Sequence, residues 1–341
     1  MKMSKDFKIF LIVFFASLPF WWEANVLEVR MEKVFYWREI TENPDILAAQ
    51  MNQKLLEEKV ENLKPFRNQA EDLKIEAEVA ISIFFDQNGG KEKILLEKEA
   101  NKKLPIASLT KLMTANIVLE NYNLSQEIEI SKAAVSQESE FGNLKIGEKF
   151  LVKDLLYPLL MESSNDAAFA LAELYPARIG YAEGVAGGGL DSFVELMNLK
   201  ARDLGLFETN FVNPTGLDPD SPNGPVNYST AQDLAKLSEN LLLEKPLIWE
   251  ILAMPQFDLY SPGGVFHHKL FNSNELLRQD DWANKVIGGK TGWTPKAKGC
   301  LILVTKAPHS NSYLINVILG SNDRFGEMKK MIEWINAAYK W

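Results

Sequence analysis

Strand-like sequence stands at both ends of residues 76–341, and the stretch between is helical in character. Near the start, Val79, Ile81, Ile83 and Phe85 alternate with Ala80, Ser82 and Phe84, the period of a strand. Asn88-Gly89 supplies hairpin-turn chemistry, and the strand pattern resumes over Lys93–Leu96. Near the end come two apolar strands, Cys300–Thr305 and Tyr313–Gly320, and a closing helix from Asp323 to Tyr339. Helices are predicted over 105–121 (after Pro105 at its opening), Lys153–Leu174, Ser192–Leu204 and Thr230–Leu243. The arrangement predicts an α/β (α+β) fold. One antiparallel sheet is formed by both ends of the domain, helices pack on it, and a helical region is inserted.

The residues before 76 differ in character. Lys2, Lys5 and Lys8 precede an apolar run, Ile9–Trp22, which at ~1.5 Å per helical residue is shorter than a ~30 Å hydrocarbon core. Small residues do not occupy both cleavage-site positions, and Trp21-Trp22 resembles an interfacial belt. Residues 1–24 are therefore a signal anchor or a signal peptide, and the rest of the chain is expected to be exported. Residues 25–75 are charged. Asn43-Pro44 opens a helical stretch, and Met51, Leu55, Val60 and Leu63 give it a broken apolar stripe, which predicts a helical stalk.

Several classes of function are disfavoured. A net charge of −9 argues against nucleic acid, which needs a basic face. The one cysteine, Cys300, forbids an intramolecular disulfide and a thiolate metal cluster. His267, His268 and a remote His309 make a poor metal set, and no Gly-x-Ser-x-Gly elbow is present. The glycines between Ile179 and Leu190 do not follow a strand, so they mark a loop rather than a phosphate cradle.

Three short segments carry possible chemistry. Ser108-Leu109-Thr110-Lys111 puts a hydroxyl and an amine on one face of a helix start. A serine hydroxyl needs a base, and a lysine can be one only if burial or a second cation lowers its pKa far below ~10.4. The second segment, Gly288-Gly289-Lys290-Thr291-Gly292-Trp293, supplies such a cation on a strand whose glycines permit close backbone approach. A peptide laid along that edge would gain main-chain hydrogen bonds, with Lys290 and Thr291 holding an anionic group; a simple bulge is the bland alternative. In the third, Ser163-Ser164-Asn165 precedes an alanine-rich helix, where Ser164, Asn165 or Asp166 could be no more than an N-cap.

Taken in order, Ser-x-x-Lys, Ser-x-Asn and Lys-Thr-Gly form the set found in β-lactamases and penicillin-binding proteins. From about residue 77 to the end the chain resembles the D-alanyl-D-alanine carboxypeptidase family, the low-molecular-mass penicillin-binding proteins. LPIASLTKLMTA, IGEKFLVKDLLYPLLMESSNDAAFALAE, FVELMNLKARDLGLFETNFVNPTGLD, YSTAQDLAKL and KTGWT carry the likeness. The resemblance implies a serine DD-peptidase domain over 76–341. It makes Ser108 the acylated nucleophile, Lys111 its base, Ser163 a proton relay and Asn165 the residue orienting Lys111 and the substrate amide. Lys290, Thr291 and Gly292 would bind the substrate's terminal carboxylate region. The backbone N–H groups of Ser108 and Trp293 would form the oxyanion hole. Arg324, placed against the macrodipole at the start of the last helix, would help bind the terminal carboxylate of D-Ala-D-Ala.

It also implies a bacterial envelope enzyme without metal or organic cofactor. The expected substrate is the peptidoglycan stem peptide, the expected covalent inhibitors are β-lactams, and the N-terminal segment would engage the membrane. The rivals are a DD-endopeptidase cutting cross-links, a β-lactamase and an inactive wall-binding scaffold. The chain departs from the family pattern at Tyr228, where histidine is frequent, and at Lys298, where glycine is common. Cys300 is expected to be a packed strand residue.

Overall fold

The computed structural model of the chain describes residues 65–68, 70–86, 91–137, 143–176, 188–308 and 312–341. Residues 1–24, nearly all of the predicted stalk, the Asn88-Gly89 turn, most of the glycine-rich loop and His309 lie outside the described residues. The chain divides into two compact units, residues 1–66 with Trp341, and Arg67–Lys340. The second unit holds every element named below.

Strand β1 (Val79–Asp86) pairs with β2 (Lys91–Lys98), and the sheet is completed by β5 (Val286–Thr294), β6 (Lys298–Lys306) and β7 (Tyr313–Ser321). Its order is β5-β6-β7-β1-β2, antiparallel throughout, so the two ends of the domain meet where β7 lies beside β1. Register there sets Ile81 opposite Val317 and Ile83 opposite Ile315. Val79 through Phe85 are all buried. Helix α7 (Arg324–Ala338) covers one side of the sheet and α5 (Ala231–Glu244) the other, so both strand faces are core. Ser82 on the central strand survives burial because its hydroxyl donates to Asn316 Oδ1 across the β1–β7 ladder, at 2.7 Å.

The inserted region begins with a 3₁₀ turn, Ala107–Thr110, that runs into α1 (Lys111–Asn121). The helix expected over Lys153–Leu174 is three pieces: α2 (Val152–Tyr157), a π-helical turn (Pro158–Glu162), and α3 (Asn165–Glu173). Pro158 has no N–H to continue the α2 ladder. Ser163 then turns left-handed, at φ 65° and ψ 32°, and the N–H of Ser164 closes back on the Pro158 carbonyl at 3.0 Å. Helices α4 (Gly188–Asp203), α5 and α6 (Pro246–Leu252) follow. A hairpin absent from the sequence reading, β3 (Gln256–Ser261) with β4 (Val265–Phe271), turns through Gly263 and Gly264, both at positive φ. The last helix is capped by Asp323, whose carboxylate accepts from the Gly326 N–H.

Candidate active site

Ser108 sits in the middle of the 3₁₀ turn, and Lys111 begins α1. Three residues make one 3₁₀ turn, so i and i+3 eclipse and the lysine lies directly over the serine, closer than an α-turn would place it. The turn is held tightly. Thr110 Oγ1 donates to the Ala107 carbonyl at 2.8 Å, and Asn227 Nδ2 donates to Thr110 Oγ1 at 2.8 Å. Ala107 is left-handed at φ 46°, a strained backbone of order 1–3 kcal/mol immediately before the serine. Gly216, itself at φ +86°, presses on it: a Cβ there would lie 2.0 Å from the Ala107 carbonyl oxygen. The loop bearing Gly216 is organised by Asn213, whose Oδ1 accepts from the N–H groups of Thr215 and Gly216, at 3.1 and 2.7 Å.

That loop delivers the third partner of Lys111. Three oxygens surround its Nζ: Ser108 Oγ at 3.0 Å, Asn165 Oδ1 at 2.7 Å and the Thr215 carbonyl at 2.6 Å. The lysine is fully buried. Burial, and then the nearby Lys290 charge, hold its amine well below the ordinary lysine value. A neutral amine has two N–H donors and one lone pair. The amide and carbonyl oxygens can only accept, so they take both protons and leave the lone pair to the Ser108 hydroxyl. The contact geometry thus suits Lys111 as a proton acceptor from Ser108.

Ser163 and Asn165 divide the work of their segment with Ser164. Ser164 is the N-cap of α3, accepting from the Ala167 N–H at 3.1 Å, which frees its neighbours. Asn165 reaches Lys111. The Ser163 hydroxyl is shut off from solvent with no hydrogen-bond partner among the described residues. A buried unpaired hydroxyl costs about 1–3 kcal/mol, as does left-handed serine backbone.

The Lys290–Trp293 segment lies on β5, which among the described residues is an edge strand paired with β6. Lys290 is fully buried; burial and the charge of Arg324 bring it down to about 7. Its amine donates to the Thr291 carbonyl at 3.0 Å. Gly292 is where the strand and the Ser108 turn touch, since a Cβ there would come within 3.1 Å of the Ser108 nitrogen. Trp293 is 63% exposed beside this contact. Arg324 crosses from α7 to donate to the Gly292 carbonyl at 3.3 Å, a path that Gly299 keeps open: a Cβ at Gly299 would sit 3.2 Å from Arg324 Cβ. Thr291 carries a partner no motif flagged, Ser273, at 2.6 Å between hydroxyl oxygens.

The structure therefore gathers all nine predicted site residues at the junction of the sheet edge and the inserted helices. Sequence reasoning missed Thr215, Gly216 and Ser273; only the Asn-Pro-Thr-Gly turn chemistry around residue 215 gave a local signal. Tyr228 pairs with Pro105 in a short ladder, its ring 5.5 Å from the Lys103 amine. Lys298 adopts φ 56° and ion-pairs Glu78 at 2.9 Å. Cys300 is buried, its thiol pushed up to about 12 by burial, which makes it inert packing. His267 and His268 face Glu148 and Glu162, at 3.1 and 3.6 Å.

A family model described as D-alanyl-D-alanine carboxypeptidase matches residues 66–323. The chain is 32% identical over 262 residues to the D-alanyl-D-alanine endopeptidase of Pseudomonas aeruginosa, covering 73% of this chain and 74% of that one. It is 30% identical over 271 residues to the D-alanyl-D-alanine carboxypeptidase DacF of Bacillus subtilis, covering 77% of this chain and 63% of that one. The crystal structure of the Streptomyces K15 DD-transpeptidase is similar at a TM-score of 0.65 and 27% identity, covering 79% of this chain and 100% of that one.

Proposed function

The chain belongs to the D-alanyl-D-alanine carboxypeptidase family, bacterial cell-wall serine peptidases that act on peptidoglycan stem peptides and bind β-lactams, and we propose that Ser108 is its acylated nucleophile. Ser108 Oγ attacks the carbonyl of the penultimate D-Ala while Lys111 takes the hydroxyl proton. The tetrahedral oxyanion accepts from the N–H groups of Ser108 and Trp293, a reading supported by the close approach of Gly292 to the Ser108 nitrogen. The proton passes through the Ser163 hydroxyl to the departing amine, and D-Ala leaves. Water, with Lys111 again as base, then hydrolyses the ester. Asn165 holds Lys111 and meets the substrate amide; Lys290, Thr291 and Arg324 receive the terminal carboxylate.

The observation that carries this reading is the shell of three oxygens around Lys111, because it leaves the lone pair to Ser108 alone. The test is labelling by a fluorescent penicillin. Wild-type protein is expected to label and Ser108→Ala to lose the signal; a labelled Ser108→Ala protein refutes the assignment.

A second reading keeps the same machinery and changes the bond cut. Two of the relatives bear the name endopeptidase, those of Pseudomonas aeruginosa and Escherichia coli. Digestion of purified muropeptides separates the readings: free D-Ala marks the carboxypeptidase, and dimers converted to monomers mark the endopeptidase. We also propose that residues 1–24 hold the enzyme at the outer face of the cytoplasmic membrane, on the strength of the lysines that precede their apolar run. Among the described residues no helix is long and apolar enough to cross a membrane. Fractionation of the full chain against one lacking residues 1–24 checks this; equal release into the soluble fraction would refute it.

A further inference from the structure

Ser273 sits between two asparagines just beyond β4, in Asn272-Ser273-Asn274. Both asparagines are buried; Asn272 uses both side-chain atoms on the backbone and Asn274 its oxygen. Asn272 Nδ2 donates to the carbonyls of Leu252 and Met254, at 3.2 and 3.0 Å, and its Oδ1 accepts from the Asn274 N–H at 2.8 Å. Asn274 Oδ1 accepts from the Leu276 N–H at 3.3 Å. The Arg278 guanidinium donates to the Asn272 carbonyl at 2.6 Å. The Ser273 N–H itself donates to the Met161 carbonyl at 2.9 Å, in the turn that ends at Ser163. The backbone on either side of Ser273 is thus fixed. What this frame presents is a single half-buried hydroxyl, 2.6 Å from Thr291 Oγ1.

Two hydroxyls at that separation share one hydrogen bond: one donates, and the other keeps its proton for a further partner. A carboxylate arriving at Thr291 can only accept. It therefore selects the arrangement in which Ser273 donates to Thr291 and Thr291 donates outward. A hydroxyl that accepts one hydrogen bond is polarised to donate a stronger one. We propose that Ser273 is a positioning residue for recognition of the substrate's terminal carboxylate, turning the Thr291 proton toward the anion; this rests on the carboxylate role of Lys290 and Thr291 given above. The Asn-Ser-Asn frame is the pre-organisation of that donor, since the hydroxyl needs no backbone rearrangement to act. Its bond to Met161 links the frame to the Ser163 turn, so carboxylate recognition and proton relay share one support.

A double-mutant cycle over Ser273→Ala and Thr291→Ala tests this. It is read as the dissociation constant of a D-Ala-D-Ala-terminated peptide for protein carrying Ser108→Ala, and as kcat and KM with Ser108 intact. Ser273→Ala is expected to weaken binding and raise KM by about five- to tenfold, with kcat within about twofold. It should cost nothing further when Thr291 is already alanine. Multiplicative losses in the double variant, or a loss confined to kcat, overturn the proposal. Ser273→Thr and Ser273→Val keep the test open if the alanine variant folds poorly: the threonine protein should bind as wild type and the valine protein about five- to tenfold more weakly. Equal binding by those two overturns it. A protein with Ser273 intact that binds no such peptide overturns both this proposal and the carboxylate reading beneath it, whereas a Ser273→Ala protein that binds as wild type overturns this one alone.

Discussion

The molecule buries two lysines within one site and treats them differently. Lys111, at the start of α1, has three oxygen partners and is saturated in the free protein. Lys290, on the edge strand β5, donates to the carbonyl of the next residue. Burial lowers both, yet Lys111 falls well below its usual range while Lys290 comes to about 7. At the helical corner the protein itself supplies all three oxygens around the amine. At the strand corner the lysine donates to a backbone carbonyl, the Thr291 hydroxyl meets Ser273, and Arg324 donates to the Gly292 carbonyl. Burial is the first cause at both; the Lys290 charge adds to it at Lys111 and the Arg324 charge adds to it at Lys290.

The sharpest break of that comparison is an arginine at each position, beside methionine as the uncharged control. A guanidinium cannot give up its proton. At residue 111, Lys111→Arg should therefore fail as completely as Lys111→Met, each losing about 10²–10⁴-fold in penicillin acylation rate. A functional Lys111→Arg protein would falsify the base assignment. The helical corner also depends on Gly216. Gly216→Ala drives a Cβ into the Ala107 carbonyl at a positive-φ position, and should destabilise by at least about 2 kcal/mol in denaturant titration. At residue 290 the order is reversed. Lys290→Met should lose about 10–100-fold in kcat/KM, and Lys290→Arg should recover most of it, because a carboxylate needs only the charge.

The pH response distinguishes the corners again. Lys290 is charged below about 7 in the free protein, so kcat/KM for a carboxylate-bearing peptide should fall as pH rises through that value. In Lys290→Arg that alkaline limb should vanish from the profile. Stability moves the other way. Between about pH 7 and 8.5 both lysines carry fewer protons folded than unfolded, so the melting temperature should rise with pH. Above that range Cys300, pushed up to about 12, opposes the trend, because the unfolded thiol ionises first. A protein with Lys111→Met and Lys290→Met should show a flatter response in a thermal scan. The smallest effect belongs to Lys298→Gly. Relief of left-handed strain, about 1 kcal/mol, is offset by loss of an exposed Glu78 ion pair of comparable or lesser worth. Its melting temperature should move by no more than a few degrees.

Much of this arrangement was legible one residue at a time. Apolar alternation placed β1, and the two late apolar runs placed β6 and β7, within two or three residues of their observed bounds. The Ser108–Lys111 spacing identified a serine and lysine that do touch. The break inside Lys153–Leu174 was not read, although Pro158 lay in plain view; proline marks where a ladder stops, while the left-handed backbone that follows at Ser163 is imposed by closure onto Pro158. The β3–β4 hairpin was missed because its burial is mixed and its pattern weak. Thr215 acts through a carbonyl, which every residue has, so side-chain motifs could not mark it. Ser273 is an ordinary serine until its neighbour across the fold is known.

By itself the sequence determined the class of the fold, the order of its three motifs and the residue types able to perform acyl transfer. Those follow from periodicity and local spacing, which are properties of the chain. Tertiary structure alone decided how deeply each lysine is buried and which groups surround it. Lys111 is held low by burial and by the Lys290 charge, and its partners Asn165 and Thr215 come from far along the chain. Protonation in a buried site is set by everything within a few ångströms, and only folding assembles that neighbourhood.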